Sequence, residues 1–376
     1  MKKIITMSLL SIMLLTGCDL TATDTLSCDY QNTSGNLIEG AYYSWEKEEL
    51  LQLIPKNDWN LFTDLFSVNE DGYWEEEQTY VFIQYKPLET FATKHAIPIE
   101  YLKEKKKSWE SILYNERLKR TKPLLDDKII ISWNAQLLSG FINASKIIDD
   151  ELLEKNMLSL AAFLMNKAYT IKLGRAFKNG SIYIDGTLED YAFTIKAFID
   201  LFNKTQNIQY IEFARLLTFE VIDNLFKEEQ GFFQSQDNEE IGTVFEIEDN
   251  VIPSANAIMS RNLYYIGIIY SNNHFVNTAK QMTTRVTANI DFASAYSDWL
   301  LNKFIFENNF EYIVLKNLDT DVLKTINKYN NNKLILWKEL NLPILMNYKN
   351  QKMNYQVCNE NSCRLSSNDF NELLQK

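Results

Sequence analysis

A helical spacing of apolar residues that continues from about residue 131 to about residue 305 restricts the fold more than any other feature. Trp133, Leu137, Leu138 and Phe141 fall at i, i+4, i+5 and i+8, which places them on one face of a helix. The same spacing predicts further helices near 149–170, 187–204, 207–227, 254–271, 275–290 and 292–305. Because short polar stretches join these segments, the sequence predicts successive antiparallel helical hairpins.

The composition agrees with a helical protein and excludes several functions. Among 376 residues there are only 11 glycines and 6 prolines, which disfavours a turn-rich all-β fold, while 46% hydrophobic residues suffice for a large core. A formal net charge of -12 opposes binding to phosphate backbones, so we expect no nucleic-acid partner. With two histidines, no metal-spaced Cys/His set, no Gly-rich phosphate loop and no Ser/His/Asp arrangement, the sequence predicts neither a metal site nor a cofactor.

The N-terminus, MKKIITMSLLSIMLLTGC, has the pattern of an export signal. Lys2 and Lys3 precede an apolar run, Ile4 to Leu15, that is too short to span a bilayer, so residues 1–17 are predicted to be a signal peptide. The ending Leu-Thr-Gly-Cys resembles the bacterial lipobox, in which the cysteine is lipidated and becomes the mature N-terminus. A thiolate is the nucleophile that this thioether chemistry needs, which explains a cysteine at position 18.

We therefore expect a lipoprotein that begins at Cys18. Acyl chains such as palmitate would anchor it to the bacterial cell membrane or outer membrane, facing an extracytoplasmic space. The alternative is an ordinary signal peptide with an incidental cysteine.

The rest of the chain divides into a tether, a helical domain and a C-terminal segment. Residues 18–37 are rich in Thr, Ser, Asp and Asn, which is typical of a flexible tether. Residues 38–305 are predicted to form the helical-hairpin domain, and strand-like runs over 306–376 indicate an α/β segment of the same domain. Cys358 and Cys363 lie five positions apart, and after export they form either a disulfide or two packed thiols.

Four polar and aromatic clusters stand at or near the starts of apolar segments. They are Asp126-Asp127 with Trp133-Asn134, Glu189-Asp190-Tyr191, Gly231-Phe232-Phe233 and Pro253-Ser254-Ala255-Asn256. Taken singly, each has a structural explanation, because acids and serines cap helices and a glycine permits a turn. Taken together they support a function, since alternate helix starts in a hairpin array point to the same end of the bundle.

A catalytic interpretation takes its acids from different hairpins. Asp127 and Asp190 are the candidate acid and base for a sugar substrate, with Glu189 as a further catalytic candidate. Adjacent acids on one helix diverge by about 100°, so they do not form such a pair. The candidate substrate-binding residues share these same clusters and are Trp133, Asn134, Tyr191, Ser254 and Asn256.

Six segments, in this order, resemble a known family. They are EGAYYSW, ERLKRTKPLLDDKIIISWNAQL, TLEDYAF, QGFFQS, IPSANA and YQVCNENSC. Together they resemble the C-terminal part of the thioredoxin-domain proteins related to spermatogenesis-associated protein 20, over most of residues 36–376. The resemblance implies an (α/α) toroid similar to six-hairpin glycosidases and sugar epimerases, and a link to carbohydrate. The expected fold is thus mainly α, a partial (α/α) helical-hairpin toroid with small β elements and a C-terminal α/β segment.

The departures from that family decide between two functions. The sequence has no counterpart of the thioredoxin-like domain, its CxxC site or the early hairpins, and Ala135 and Ala255 replace the family's usual glycines. We therefore favour a non-catalytic binding or scaffold lipoprotein, with its acids used as helix caps and an exposed apolar face where further hairpins would dock. The alternative is a carbohydrate-acting hydrolase or epimerase with converging carboxylates, completed by a partner chain that supplies the missing hairpins.

Overall fold

A computed structural model describes residues 29–31, 37–123, 126–236, 244–308, 310–329, 333–348, 353–359, 362–369 and 372. The predicted signal peptide, 1–17, and the lipidation site, Cys18, lie outside these residues. The chain divides between Asp127 and Lys128 into two compact units. The helical domain predicted over 38–305 therefore contains parts of both units. No helix in the described ranges is long and apolar enough to cross a membrane.

The first unit is a small α+β core. Its elements are β1 (Asp29–Gln31), β2 (Leu37–Glu39), α1 (Lys47–Leu53), α2 (Trp59–Phe66), β3 (Tyr73–Trp74), β4 (Thr79–Tyr80), α3 (Leu88–Lys94) and α4 (Ile99–Arg117). Strand β1 pairs with β2 in antiparallel fashion, so part of the predicted tether, 18–37, is a strand. The core of this unit contains Trp45, Phe62 and Trp109, and the Trp109 indole donates to the Asp58 carboxylate at 3.0 Å.

The second unit contains the predicted helical hairpins. Its first seven helices are α5 (Ile131–Ser145), α6 (Glu151–Asn166), α7 (Leu188–Thr205), α8 (Ile208–Leu225), α9 (Ala255–Ile269), α10 (Asn273–Thr287) and α11 (Ser297–Glu307). Helices α5, α7, α9 and α11 pack side by side, and we call them the inner row; α6, α8 and α10 pack on its outside. Most side chains of α7 and α9 are buried, whereas α10 buries a single face. This two-layer packing confirms the predicted (α/α) hairpin array.

Close packing within one hairpin requires a glycine. A Cβ on Gly267, in α9, would lie 2.8 Å from a methyl group of Val276 and 3.0 Å from the Asn272 carbonyl oxygen at the start of α10. Both contacts are too short for a larger residue, so α9 and α10 approach each other more closely here than a side chain permits.

Small sheets occupy the longer joins between the hairpins. A three-stranded antiparallel sheet contains β5 (Ile129–Ile130), β6 (Gly174–Lys178) and β7 (Ser181–Asp185). A further pair is β8 (Phe226–Lys227) with β9 (Phe232–Phe233). These strands are the small β elements that the sequence predicts.

The C-terminal α/β segment packs onto the same core as the hairpins. It contains β10 (Tyr312–Leu315), α12 (Thr320–Tyr329), β11 (Leu334–Trp337), β12 (Tyr355–Cys358) and β13 (Cys363–Ser367), in the sheet order β11-β10-β12-β13. Strands β10 and β11 are parallel, and α12 crosses between them, which makes a βαβ unit. Tyr312, Leu336 and Cys358 belong to the hydrophobic core of the hairpin helices.

Side chains at the C-terminal end of α7, and of Gln206 directly after it, complete the outer edge of this sheet. The Gln206 amide donates to the Ile335 carbonyl and accepts from the Trp337 N–H, both at 2.8 Å. One turn earlier, the Asn203 amide accepts from the Ile335 N–H at 2.5 Å. The polar groups on this edge of β11 are therefore satisfied by a helix instead of by another strand.

Candidate functional site

Asp190 joins the starts of two inner-row helices. Its Oδ2 accepts the Thr187 N–H at 2.9 Å and the Thr187 hydroxyl at 3.0 Å, which makes a capping box for α7. Its Oδ1 accepts the Ser132 N–H at 2.9 Å, in the first turn of α5. The carboxylate is fully buried, so it supplies a cap to both helices and presents no surface to solvent.

Two opposing effects act on the pKa of Asp190, and burial is the larger, so the pKa lies above its ordinary value. Burial raises the pKa of the carboxyl group, while the Arg175 guanidinium, 3.5 Å from Oδ2, and the donors of Thr187 lower it. Because this buried carboxylate accepts hydrogen bonds from two helix starts, we assign it a structural role.

Asp249 performs the same task for the next two helices of the row. Its Oδ1 accepts the Ser254 N–H at 2.8 Å, at the start of α9. Its Oδ2 accepts the Ser297 hydroxyl and the Asp298 N–H, each at 2.9 Å, at the start of α11. Asp249 was not predicted, because nothing in the local sequence pattern distinguishes it from other loop acids.

Ser254 and Asn256 are also engaged in structural hydrogen bonds. The Ser254 hydroxyl caps α9 by accepting the Ala257 N–H at 3.3 Å, and it donates to the Glu246 carbonyl at 3.1 Å. The fully buried Asn256 amide accepts from the Phe233 N–H and donates to the Phe233 carbonyl, both at 2.9 Å. These residues fix the β8–β9 turn against the helix start, as the structural explanation of their cluster requires.

Tyr191 points into the protein. Its ring is buried and its hydroxyl donates to the Glu220 carboxylate on α8. Burial raises the pKa of Tyr191 far above its ordinary value, and the hydrogen bond to Glu220 adds to that effect. We therefore assign Tyr191 to the packing of α7 against α8.

Other candidates remain exposed at or near the same helix starts. Asp127 is exposed in the coil before β5 and is the last residue of the first unit. Trp133, in the first turn of α5, keeps 44% of its surface exposed, and Glu189 is partly exposed in the first turn of α7. The Asn134 side chain donates to the Ile130 carbonyl at 2.8 Å and so stabilises the start of α5. Asp190, from a distant part of the sequence, accepts the Ser132 N–H and so caps this helix.

The structure places a disulfide between Cys358 and Cys363. The two residues face each other in the antiparallel pair of β12 and β13, and their sulfur atoms are bonded. Of the two alternatives for this pair, the structure has the disulfide. Among the described residues there is no group of three or more His, Cys, Asp or Glu side chains that could hold a metal ion.

A polar cluster that the sequence analysis missed lies farther along the inner row. Lys196 and Asp200, one turn apart on α7, form an ion pair of 2.6 Å, and the Ser139 hydroxyl of α5 donates to Asp200 at 3.1 Å. The Lys196 ammonium also lies 3.4 Å from the Ser139 oxygen. Tyr265 of α9 is nearby: burial raises the pKa of its hydroxyl to about 12, Arg261 lowers it and Asp200 raises it.

We call Ser139, Lys146, Lys196, Asp200 and Tyr265 the inner-row cluster. Lys146 follows the last turn of α5 and is partly buried. Burial lowers the pKa of its ammonium, Asp200 raises it, and the positive charges of Lys196 and Lys204 lower it. A local signal for part of this cluster exists in the sequence, because Lys196 and Asp200 interrupt the mostly apolar middle of α7 at i, i+4 spacing.

Several known proteins are similar in sequence to part of this chain. No protein-family model matches the chain. An uncharacterized protein of Caenorhabditis elegans is 27% identical over 275 residues, which cover 66% of this chain and 38% of that protein. Spermatogenesis-associated protein 20 of Homo sapiens is 26% identical over 259 residues, which cover 60% of this chain and 33% of that protein. The resemblance to the proteins related to spermatogenesis-associated protein 20 is confirmed. The chain spans about a third of the length of these curated relatives.

Solved structures show weaker likenesses. The GH76 alpha-mannanase of Bacteroides thetaiotaomicron matches with a TM-score of 0.40 and 14% identity, over 60% of this chain and 68% of that one. Cellobiose 2-epimerase from Bacillus thermoamylovorans matches with a TM-score of 0.36 and 12% identity, over 45% of this chain and 47% of that one. Both TM-scores are too low to carry an argument about the fold. The hairpin array is instead defined by the packing of its own helices.

Proposed function

We propose that this chain is a lipid-anchored bacterial lipoprotein whose helical domain binds a carbohydrate-like ligand without converting it. The sequence of residues 1–18 supports the lipid anchor, with its basic start, short apolar run and lipobox-like ending at Cys18. The anchor holds the domain at the extracytoplasmic face of a membrane.

One observation carries the non-catalytic part of the proposal: the buried Asp190 carboxylate is occupied by donors from Ser132, Thr187 and Arg175. A general acid or base must reach the proton that it transfers, and a fully buried helix cap does not. Asp190, which the sequence predicts as one half of a catalytic pair, therefore has a structural role as a helix cap.

The partly exposed acids of α7 do not take the place of Asp190 in a catalytic pair. Glu189 and Asp200 are eleven positions apart in one helix. At 1.5 Å per residue they are separated by roughly 16 Å, whereas glycosidase carboxylates lie at most about 9.5 Å apart. Asp200 is in addition paired with Lys196.

The inner-row cluster and Trp133 support the binding part. Ser139, Lys196 and Asp200 place a hydroxyl, an ammonium and a carboxylate beside one another, which is the mixture of donors and acceptors that sugar hydroxyls require. The exposed indole of Trp133 offers an apolar face at the start of α5.

Lipidation is tested in the full chain by incorporation of labelled palmitate in a bacterial host. We expect label in the wild type, no label in Cys18→Ser, and unchanged label in Cys28→Ser, which removes the neighbouring cysteine as a matched control. Label that persists in Cys18→Ser would show that the anchor is elsewhere and overturn this part of the proposal.

Binding and conversion are tested together by calorimetry on a glycan panel, followed by chromatography of the recovered glycans. We expect a glycan that binds, is recovered unchanged, and binds at least tenfold more weakly to Lys196→Ala. If no glycan binds, the carbohydrate proposal fails. If a glycan is converted and Asp127→Asn abolishes the conversion, the protein is an enzyme.

The second candidate function is a carbohydrate-acting enzyme completed by a partner chain. The observation that favours it is an exposed apolar face on α11, where Leu300, Leu301 and Phe304 are 37%, 38% and 65% exposed at the end of the inner row. A helical hairpin with a complementary apolar face would bury these side chains. Under this candidate, glycan conversion requires a second chain and is lost in Phe304→Glu; conversion by the purified chain alone, unaffected by Phe304→Glu, would contradict it.

A further inference from the structure

Arg117, at the C-terminal end of α4, is surrounded by tyrosine rings instead of by acids. Its guanidinium carbon lies 5.7 Å from the ring centroids of Tyr42, Tyr43 and Tyr114. The Nε atom is buried without a hydrogen-bond partner, and within the described part of the chain the guanidinium forms no ion pair. No acid therefore neutralises this charge, and the ring faces compensate only part of its lost hydration.

Arg120 fixes the two parts of this surface against each other. Its guanidinium donates to the Tyr42 carbonyl at 3.2 Å and to the Ser44 carbonyl at 2.7 Å, and it pairs with the Glu49 carboxylate at 2.7 Å. The turn that carries Tyr42 is thus held against the residues that follow α4. Because Arg120 uses its donors within the protein, Arg117 is the guanidinium of this surface that an external anion can bind.

Two of the tyrosine rings and a neighbouring leucine are largely exposed to water. Tyr43 is 60% exposed, Tyr114 53% and Leu118 44%. We call Tyr42, Tyr43, Tyr114, Arg117 and Leu118 the arginine–tyrosine patch. The helix dipole favours a cation at the end of α4, but it does not require exposed aromatic and aliphatic side chains around that cation. Rings that carry hydroxyls, beside a leucine and a cation, are the composition found at the boundary between lipid headgroups and acyl chains.

The segment that carries most of the patch is basic in an acidic protein. Residues 99–122 contain eight lysines and arginines and four glutamates, a net charge of +4, whereas the whole chain carries -12. Among the described residues, the exposed Lys107 and Lys122 form no ion pair either. Anionic headgroups attract each such cation by about 1 kcal/mol near the surface, and they repel the acidic remainder of the chain.

The patch is close along the chain to the predicted lipid anchor. Strand β1 begins at Asp29, eleven positions after Cys18, and it pairs with β2, which ends three positions before Tyr42. Eleven residues extend over at most about 40 Å, so an acylated Cys18 keeps the start of β1 within that distance of the bilayer. This tethering raises the local concentration of lipid, which allows a contact that is weak by itself to form.

We propose that the arginine–tyrosine patch docks on the surface of a membrane that contains anionic phospholipid, with the Arg117 guanidinium bound to a lipid phosphate. Tyr43 and Tyr114 lie at the level of the headgroups, with their rings towards the acyl chains. The inference rests on the lipid anchor of the proposed function, and it adds the protein surface and the lipid class. Docking fixes the orientation of the first unit on the membrane.

The test uses the lipidated full chain in vesicles, with an environment-sensitive fluorophore on Asn115→Cys, an exposed position next to Tyr114, in a Cys28→Ser background. The vesicles contain phosphatidylcholine, either alone or with about 30% phosphatidylglycerol. We expect at least about twofold higher fluorescence on the mixed vesicles, and little difference in about 0.5 M salt, which screens the charges. A fluorophore on Lys155→Cys, at an exposed position of α6, is the control and should not respond.

Substitutions in the patch should remove this response. In Arg117→Gln the fluorescence should become the same on both kinds of vesicle, whereas Arg117→Lys should retain part of the difference because it keeps the charge. Tyr43→Ser should lower the fluorescence on the mixed vesicles by about half. Tyr183→Ser is the matched control, because Tyr183 is also 60% exposed but lies outside the patch, and it should have no effect.

The docking inference and the lipid anchor can fail separately. Equal fluorescence of the wild type on both kinds of vesicle, or a difference that survives Arg117→Gln, shows that docking is wrong, while palmitate on Cys18 shows that the anchor stands. An equal rise with dissolved glycerol phosphate identifies a site for a free anion and also overturns docking. If Cys18 carries no palmitate and the chain does not float with vesicles, both fail together.

A folding control accompanies the Arg117 variants. A thermal melt of Arg117→Gln within about 2 °C of the wild type establishes that a lost response is not lost folding. If Arg117→Gln melts lower, Tyr43→Ser decides, since it replaces an exposed side chain: an unchanged response in that variant overturns docking.

Discussion

The Asp190 carboxylate accepts the backbone N–H of Ser132 at 2.9 Å, and these two residues lie 58 positions apart in the sequence. The same carboxylate closes the capping box of its own helix at Thr187. A helix cap usually satisfies one helix end, whereas this one satisfies α5 and α7 together. The relative position of two neighbouring inner-row helices therefore depends on one side chain.

Replacing Asp190 should lower stability substantially. In Asp190→Asn the amide oxygen can keep one of the backbone donors, but the amide nitrogen faces the others, and Arg175 loses its carboxylate. We expect the free energy of unfolding to fall by about 2–4 kcal/mol, the range for a broken buried polar network. Urea denaturation followed by circular dichroism measures it.

Glu189→Gln is the matched control for that experiment. Glu189 is the preceding residue of the same helix turn and is partly exposed, so its replacement should change the free energy of unfolding by less than about 0.5 kcal/mol. Equal effects of the two substitutions would contradict the dual-cap role of Asp190.

Features that depend on the local sequence could be predicted, whereas contacts between distant residues could not. Helices near 187–204 and 254–271 are predictable because apolar spacing and the caps are local; the observed helices are Leu188–Thr205 and Ala255–Ile269. The contact of Asp190 with Ser132 is not predictable from the sequence, because it depends on how two hairpins pack. The division between Asp127 and Lys128 was also not predicted, because similar helical patterns continue on both sides of it.

Glu311 should make stability depend on pH in the acidic range. Hydrogen bonds from Arg364 and Lys333 lower its pKa to about 2, against the opposing effect of burial. Because the folded pKa lies below the ordinary value of 4.5, this contribution is present above about pH 4.5 and is lost as the pH falls towards 2. Since Arg364 and Lys333 are partly exposed, we expect solvent screening to limit the contribution to about 1 kcal/mol.

Denaturation of the wild type and Glu311→Gln at pH 7 and pH 3 measures this effect. The difference in free energy of unfolding between them should be largest at pH 7 and smaller at pH 3. Glu307→Gln, at an exposed ion pair on α11, should show no such trend. A difference that stays constant between the two pH values would exclude Glu311 as the source.

The disulfide between Cys358 and Cys363 should stabilise the β12–β13 pair. It closes a short loop, for which the loss of chain entropy in the unfolded state corresponds to about 2 kcal/mol. Thermal melts with and without a phosphine reductant should therefore differ for the wild type. In the double variant Cys358→Ser, Cys363→Ser the reductant should have no effect; an equal response of both proteins would assign the stabilisation to another cause.

Gln206 should protect the edge of the C-terminal sheet from solvent. Its amide replaces a neighbouring strand by bonding the Ile335 carbonyl and the Trp337 N–H. In Gln206→Ala both backbone groups lose their partner, which should cost about 2 kcal/mol and speed amide exchange at Trp337 at least tenfold. Gln209→Ala, at an exposed position of α8, is the control and should leave that exchange rate unchanged. If Trp337 exchanges equally fast in the wild type and in Gln206→Ala, the edge of β11 is protected by other contacts, and α7 does not act as the missing strand.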